Sequence, residues 1–359
     1  MKDWLNRCHF GDVRAVLRRM AADGVQVQTI VTSPPYWGLR DYGHAGQIGL
    51  EETPDEYVAT MVEVFSLCLD ILADDGTLWL NLGDSYAGSW GAEGRTTNHG
   101  NSSYNASVAQ QRSITNHPKQ SRRTTNLPKG SGIKAKDLVG IPWMTAFALR
   151  SSGWYLRQGI VWHKPNPMPE SVRDRCTKAH EDIFLMSKSP SYYFDQGAIS
   201  EPSAESTLSR MAQDIESQAG SDRVPGKTNG PMKAVSRRNS FARTTKDSAG
   251  EHGQKPQFRE DREPVAYEGR RNKRSVWTVS TKPYKGAHFA TFPTDLIEPC
   301  ILAGAPAGGV VLDPFFGSGT TGQVAQQLGR QFIGIELNEA HEPLQRERLR
   351  QPSFILEAA

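Results

Sequence analysis

Two short segments near opposite ends of the 359-residue chain constrain its fold more than any other feature: Thr32-Ser33-Pro34-Pro35-Tyr36-Trp37 and Asp313-Pro314-Phe315-Phe316-Gly317-Ser318-Gly319-Thr320-Thr321. Each closes an apolar run of strand length, residues 27–32 in the first case and 309–313 in the second. A buried strand that ends in a Pro- or Gly-rich turn and leads toward a helix is the repeating unit of a parallel sheet. The loops at the carboxyl ends of such strands are where ligands bind.

The intervening pattern fits that reading. Residues 55–72 carry apolar side chains at helical spacing (Val58, Met61, Val62, Phe65, Leu69, Leu72), with Thr53 or Asp55 placed to cap the helix, and 76–82 predicts the next strand. A helix at 143–150 stopped by Gly153, a strand at 155–162 and a hairpin of 183–186 with 192–194 through Ser189-Pro190 follow. The closing part predicts a helix at 293–302, a strand at 309–313, a helix after Thr320 and a strand at 332–336. The expected fold class is α/β, a doubly wound and mostly parallel sheet.

Two stretches do not belong to that sheet. Residues 86–136 and 200–274 are polar, rich in Ser, Asn, Gly and Gln, and poor in periodic apolar residues. They also hold the basic charge. Eight Lys/Arg stand against one acid in 86–136, and seven against none in 223–246, while the whole chain is only +3, so the remainder is on balance acidic. Basic residues concentrated in polar inserts, among them Arg122, Arg123, Arg237 and Arg238, suit contacts to nucleic-acid phosphates; a solvated loop is the competing reading. The chain divides accordingly into 1–85, the insert 86–136, 137–199, the insert 200–274, and 275–350.

The four cysteines (Cys8, Cys68, Cys176, Cys300) form no C-x-x-C pair, so neither a zinc site nor a disulfide framework is expected. With no signal-like start and no membrane-length apolar run, a cytoplasmic protein without a membrane partner is expected.

The glycine loop invites two ligands. Gly317-x-Gly319-x-x-Gly322 matches the dinucleotide fingerprint, and Glu336 ends the next predicted strand, where a carboxylate can accept ribose hydroxyls. A nicotinamide-dependent oxidoreductase is therefore one reading, in which the three glycines let backbone approach a nucleoside. However, Asp313-Pro314 puts an acidic corner where a pyrophosphate would approach. S-adenosylmethionine fits better, since it offers a sulfonium and an amine to the acids, a carboxylate to the loop N–H groups, and no phosphate.

At the other end, the turn after residue 32 can act on an exocyclic amine. Such a nitrogen is a poor nucleophile because its lone pair is delocalised into the ring. Acceptors aimed at its hydrogens localise that pair. The Ser33 hydroxyl and Pro34 carbonyl are suitable acceptors, Pro34 and Pro35 fix the backbone, and Tyr36, with Trp37, offers a face for a flipped base.

Taken together, these segments resemble the amino-group DNA methyltransferases, specifically the permuted class whose Ser/Asp/Asn-Pro-Pro-Tyr/Phe motif precedes the cofactor motif, and within it the cytosine-N(4)-specific modification methylases. The match also takes in His9 to Asp12, Lys164 to Pro169, His180 to Phe184 and His288 to Pro293. The resemblance implies methyl transfer from S-adenosylmethionine to double-stranded DNA, by Ser33, Pro34, Pro35 and Tyr36. It implies a cofactor site of Asp12 at the adenine, Glu336 at the ribose, and Asp313, Pro314, Phe315, Gly317, Ser318, Gly319 and Thr320 with His288, Phe292 and Pro293 at the methionine part. Ser33 in first position is similar to the enzymes acting on cytosine, where Asp is more usual in those acting on adenine N(6). The resemblance further implies target recognition within 200–274, a monomer or weak dimer, and a restriction endonuclease as a separate partner. A 5-methylcytosine enzyme is the neighbouring reading, through Pro299-Cys300, but that cysteine falls in a predicted helix.

Overall fold

The structure is a computed structural model that describes residues 1–39, 43–44, 46–87, 132–211, 269–281 and 292–350. Two units are distinguished, one formed by Met1–Ala198 with Arg274–Ala359 and the other by Ile199–Lys273.

The larger unit is built on strands that are buried on both faces. In β2 (Val27–Thr32) five of six residues are buried, and β3 (Leu72–Leu82) is buried without interruption from Gly76 onward. A strand with no polar face must lie inside a sheet covered on both sides, the expectation for parallel strands. The sheet has eight strands in the order β1 (Arg7–Phe10), β10 (Gln331–Glu336), β9 (Val310–Asp313), β2, β3, β5 (His180–Ser187), β4 (Tyr155–His163) and β8 (Val276–Thr278). All pairs are parallel except β3 with β5 and β5 with β4.

Helix α1 (Val13–Ala22) buries Val13, Val16, Leu17 and Met20. In α2 (Pro54–Ile71), Thr53 and Glu56 exchange side-chain-to-backbone hydrogen bonds in a capping box, Pro54 opens the first turn, and Tyr57, Met61, Val64, Phe65, Cys68 and Ile71 form the buried face. The cap at Thr53 is worth about 1 kcal/mol. Helix α3 is Ile141–Ser151. The smaller unit contains a two-stranded antiparallel pair, β6 (Glu201–Pro202) with β7 (Arg270–Arg271), and helix α4 (Glu205–Met211). Helices α5 (Thr294–Gly304), α6 (Thr320–Gln327) and α7 (Glu342–Leu349) complete the larger unit.

One sequence expectation is corrected here. Residues 192–194 form no hairpin with 183–186; β5 instead pairs with β3 on one side and β4 on the other. The Tyr193 N–H donates to Asp75 O and the Asp195 N–H to Ala303 O, so this segment closes over the amino end of the sheet rather than extending it. The apolar run signalled a strand correctly, but its partners are distant in sequence.

No helix of the described residues is long and apolar enough to cross a membrane. Among those residues no cluster of three or more His, Cys, Asp or Glu is placed to hold a metal ion.

Candidate active site

Strand order decides where the two conspicuous loops meet. The chain leaves β2 toward β3 on one side and leaves β9 toward β10 on the other, so the connections diverge between β2 and β9, which pair through Thr29–Val311 and Ile30–Leu312. Such a switch point opens a crevice at the strands' carboxyl ends. The turn after Thr32 and the loop after Asp313 flank it side by side, although they are 281 residues apart.

Asp313 ties them together. Its carboxylate accepts from the Thr32 hydroxyl at 2.7 Å, the Thr321 hydroxyl at 2.6 Å and the Phe315 N–H at 3.0 Å. Burial pushes its pKa up to about 6, against the opposing pull of those three hydrogen bonds.

The Ser-Pro-Pro-Tyr turn is held from three sides. The Tyr57 hydroxyl of α2 donates to Pro35 O at 2.9 Å, while the Pro34 carbonyl is engaged by none of the described residues. Gly49 lies against the same turn: a Cβ there would stand 3.1 Å from Tyr36 O and 3.3 Å from the Pro35 ring. The Tyr36 ring rests on Gly83, where a Cβ would come within 2.4 Å of it. Its hydroxyl donates to Glu181 Oε2 at 2.8 Å and accepts from Asn81 Nδ2 at 2.9 Å. Burial and the neighbouring Glu181 charge hold the phenol well above its usual pKa, so it remains a donor. Ser33 Oγ lies 3.4 Å from the Tyr36 hydroxyl and 3.3 Å from Asn81 Nδ2. Trp37, expected beside Tyr36 as a stacking face, is instead a core residue, 3% exposed, with its indole N–H on Glu51 O.

The glycine loop departs from the dinucleotide reading. Gly317 and Gly319 have φ of 51° and 88°, left-handed values that favour glycine. Gly322, expected to clear space for a nucleoside, serves another ring. A Cβ at Gly322 would stand 2.7 Å from Phe316, and one at Gly334 2.4 Å from it. The missing side chains seat Phe316, which stacks on Phe332 at 5.5 Å and 9°. In the fingerprint the third glycine permits helix–strand packing, but here the space is filled by an aromatic plug that a pyrophosphate loop does not require.

Glu336 ends β10 and braces the loop, accepting from the Gly317 N–H at 2.8 Å and the Asn338 N–H at 2.9 Å. Burial alone would raise its pKa, but His341 and these N–H groups outweigh it and hold the carboxyl below its usual value. From α7, Gln345 donates to Gly317 O at 2.7 Å and Arg348 to the Thr320 hydroxyl. The Ser318 hydroxyl is buried with no hydrogen-bond partner among the described residues. An orphaned hydroxyl, left-handed glycines and an anchored acid on the next strand form a polar cradle suited to a nucleoside bearing an amino-acid tail.

Asp12 follows β1, which pairs with β10 as far as Glu336. Asp12 caps α1, accepting from the Arg14 and Ala15 N–H groups, and pairs with the Arg14 guanidinium at 2.8 Å. Pro293 is the buried N-cap of α5, with Phe292 half-buried beside it. Pro314 is buried and Phe315 packs against the main core. His288, Arg122, Arg123, Arg237 and Arg238 fall outside the described residues. Cys300 is buried within α5. The sequence reading missed Asn81, Glu181 and Tyr57 around the turn, and Gln345 and Arg348 behind the loop. Asn81 was the legible one, a polar residue within the otherwise apolar run 78–82 of β3.

The sequence model of the N6/N4 DNA methylase family matches residues 27–346, a span that includes both loops. The chain belongs to this family. It is similar to Type II methyltransferase M.Cfr9I of Citrobacter freundii, 43% identical over 328 residues, which cover 91% of this chain and 82% of that protein. Type II methyltransferase M.SmaI of Serratia marcescens is 39% identical over 339 residues, covering 94% and 89%. Among solved structures, the PvuII DNA methyltransferase (cytosine-N4-specific) shares the fold over 95% of this chain and 85% of its own, with a TM-score of 0.51 and 15% identity. The protein is thus a Type II DNA methyltransferase of the N4/N6 amino class, DNA is its substrate and S-adenosylmethionine its methyl donor. The oxidoreductase reading is overturned.

Proposed function

We propose that this methyltransferase acts on the 4-amino group of a cytosine turned out of duplex DNA, at a short specific sequence. The observation that carries the reading is Ser33. A neutral hydroxyl, fixed between the Tyr36 hydroxyl and the Asn81 amide, stands at the switch point beside the Asp313 anchor of the glycine loop.

Bound S-adenosylmethionine supplies an electrophilic methyl group on a sulfonium. Ser33 Oγ and the Pro34 carbonyl accept hydrogen bonds from the amine, and so localise its lone pair for attack. Tyr36 supports the base from one face. Gly317, Ser318, Gly319 and Thr320, with Asp313 and Glu336, hold the donor's amino-acid and ribose parts; Phe292, Pro293, Phe315 and His288 wall it, and Asp12 lies toward the adenine. The inserts 86–136 and 200–274 contact DNA through Arg122, Arg123, Arg237 and Arg238, with target recognition in the second. A restriction endonuclease acting separately on the same sequence is the expected partner, and the enzyme works as a monomer or weak dimer.

The test is product analysis. Protein, cofactor and mixed-sequence DNA are incubated, the DNA is digested to nucleosides, and the methylated base is identified by mass. N(4)-methylcytosine that disappears with Ser33→Ala is expected. N(6)-methyladenine would overturn the base assignment, and full activity in a folded Ser33→Ala protein would overturn the role of the turn.

A further inference from the structure

Beside the catalytic turn stands an ion pair that the assigned chemistry leaves without a role. Glu181 lies on β5 and Lys164 just beyond β4; both are largely buried, and the ammonium donates to Glu181 Oε1. Lys164 is itself fixed, its backbone N–H on Ala179 O and its ammonium 4.3 Å from the Trp162 ring centroid. A buried ion pair seldom adds net stability, because desolvation cancels most of the attraction. Its use is more readily found in what the second carboxylate oxygen does. That oxygen, Oε2, accepts from the Tyr36 hydroxyl at 2.8 Å and from Asn81 Nδ2 at 3.1 Å.

Register explains why this carboxylate reaches Tyr36. In the antiparallel pairing Leu82 stands opposite Asp182, so Glu181 and Gly83 are the next residues along at the carboxyl end of β3. Gly83 supplies the floor on which the Tyr36 ring lies, and Glu181 supplies the stop for its hydroxyl. A ring resting on glycine alone can slide or swing about χ1, because nothing beside it fills the space of a side chain. One charge-assisted hydrogen bond at its far end removes that freedom.

We propose that Glu181, held in place by Lys164, is a positioning residue for the methyl-transfer reaction: it fixes the Tyr36 ring through the hydroxyl, and Asn81 completes the lock by bridging Glu181, Tyr36 and Ser33. The inference rests on the reading of the Ser33–Tyr36 turn as catalytic. It adds a reason for tyrosine at this position, since phenylalanine keeps the ring but cannot be tied to the carboxylate. It also links β4 and β5 to the turn, so that the antiparallel half of the sheet sets the geometry of chemistry performed in the parallel half.

The experiment is a double-mutant cycle on single-turnover methyl transfer, with KM for S-adenosylmethionine measured alongside. Tyr36→Phe and Glu181→Ala each slow the reaction about tenfold, the double variant is no slower than the slower single within about twofold, and KM for the cofactor stays unchanged. Effects that multiply to about a hundredfold would show that Glu181 acts other than through Tyr36 and would overturn the proposal. A Lys164→Met/Glu181→Gln variant guards against misfolding. It removes both charges together and keeps an acceptor for Tyr36, so it is expected to recover part of the rate lost in Glu181→Ala. A rate as low as that of Glu181→Ala would overturn positioning in favour of a need for the charge itself. Tyr36→Ala separates the two levels: if it leaves the rate unaltered, the reading of the turn falls and the inference with it; if it abolishes transfer while the cycle is multiplicative, the inference alone falls.

Discussion

Asp313 should make the folded enzyme less stable at neutral pH than it would be with a neutral residue in its place, and Asp313→Asn should reveal this. The carboxylate is 2% exposed, and its pKa is displaced from an ordinary 3.8 to about 6, chiefly by burial. The folded state therefore binds this proton more tightly than the unfolded chain does. Its contribution to stability is complete below about pH 4 and is lost as pH rises through about 6. The displacement corresponds to about 3 kcal/mol at pH 7 and above. Asparagine keeps an oxygen for Thr32 and the Phe315 N–H, and its amide can donate to the Thr321 hydroxyl, which already lies 3.5 Å from Val31 O as an alternative acceptor. Some of the gain is lost in that rearrangement, so about 1–2 kcal/mol is the expected net stabilisation of the cofactor-free protein.

The assay is urea unfolding of the parent and Asp313→Asn between pH 4 and pH 8, with no cofactor present. The variant should lie about 1 kcal/mol below the parent at pH 4, cross it as pH rises toward 6, and stay about 1–2 kcal/mol above it from pH 7 onward. Affinity for S-adenosylmethionine should fall in the same variant, because the glycine loop loses its negative anchor; stability and function are opposed at this position. A variant less stable than the parent by the same amount at every pH would refute the reasoning. It would mean that the three hydrogen bonds to the carboxylate outweigh the cost of burying its charge.

Two further outcomes follow from close approaches in the structure. Gly334→Ala would place a Cβ 2.4 Å from the Phe316 ring, so it should lower stability by about 1–3 kcal/mol and raise KM for the cofactor, measured by thermal unfolding and steady-state methylation. Tyr57→Phe removes the donor to Pro35 O while leaving the buried ring in α2; kcat should drop severalfold with a stability loss of about 1 kcal/mol, and an unaltered kcat would show that Pro35 needs no such restraint.

How much of this was legible in the sequence depended on the range over which each feature is determined. Helix α2 could be read locally as to its existence and its Thr53 cap, but its buried face was read off-centre: of the six apolar residues that signalled it, Met61 and Phe65 lie on that face, Val58, Val62 and Leu69 are half-buried, and Leu72 already begins β3. The strands under both loops were plain, because runs buried on two faces have few polar residues. Helix α7 was silent for the opposite reason: it buries Gln345 and Arg348 against the glycine loop, and polar residues in a charged segment carry no hydrophobic period. Gly322 was legible as a requirement for space but misread as to its occupant. The occupant is Phe316, six residues earlier in the chain, whose ring also needs Gly334 on the neighbouring strand and Phe332 as a stacking partner.

The permuted motif order acquires a physical meaning from the sheet. Strands β2 and β9 are neighbours whichever comes first in the chain, because the switch point is defined by where connections diverge and not by sequence order. Permutation changes which contacts must close over long separations. The Thr32–Asp313 hydrogen bond spans 281 residues, and the polar inserts lie within that span. Loop-closure entropy grows only with the logarithm of length, so lengthening an insert costs little once the loop is already long. The Asp313 tie and the Glu181 tie then divide the work at the turn. The first anchors it to the glycine loop, and the second anchors its aromatic end to the antiparallel strands, where no part of the glycine loop takes part. A perturbation of the glycine loop should therefore be felt in cofactor affinity, and a perturbation of β4 or β5 in the rate of transfer.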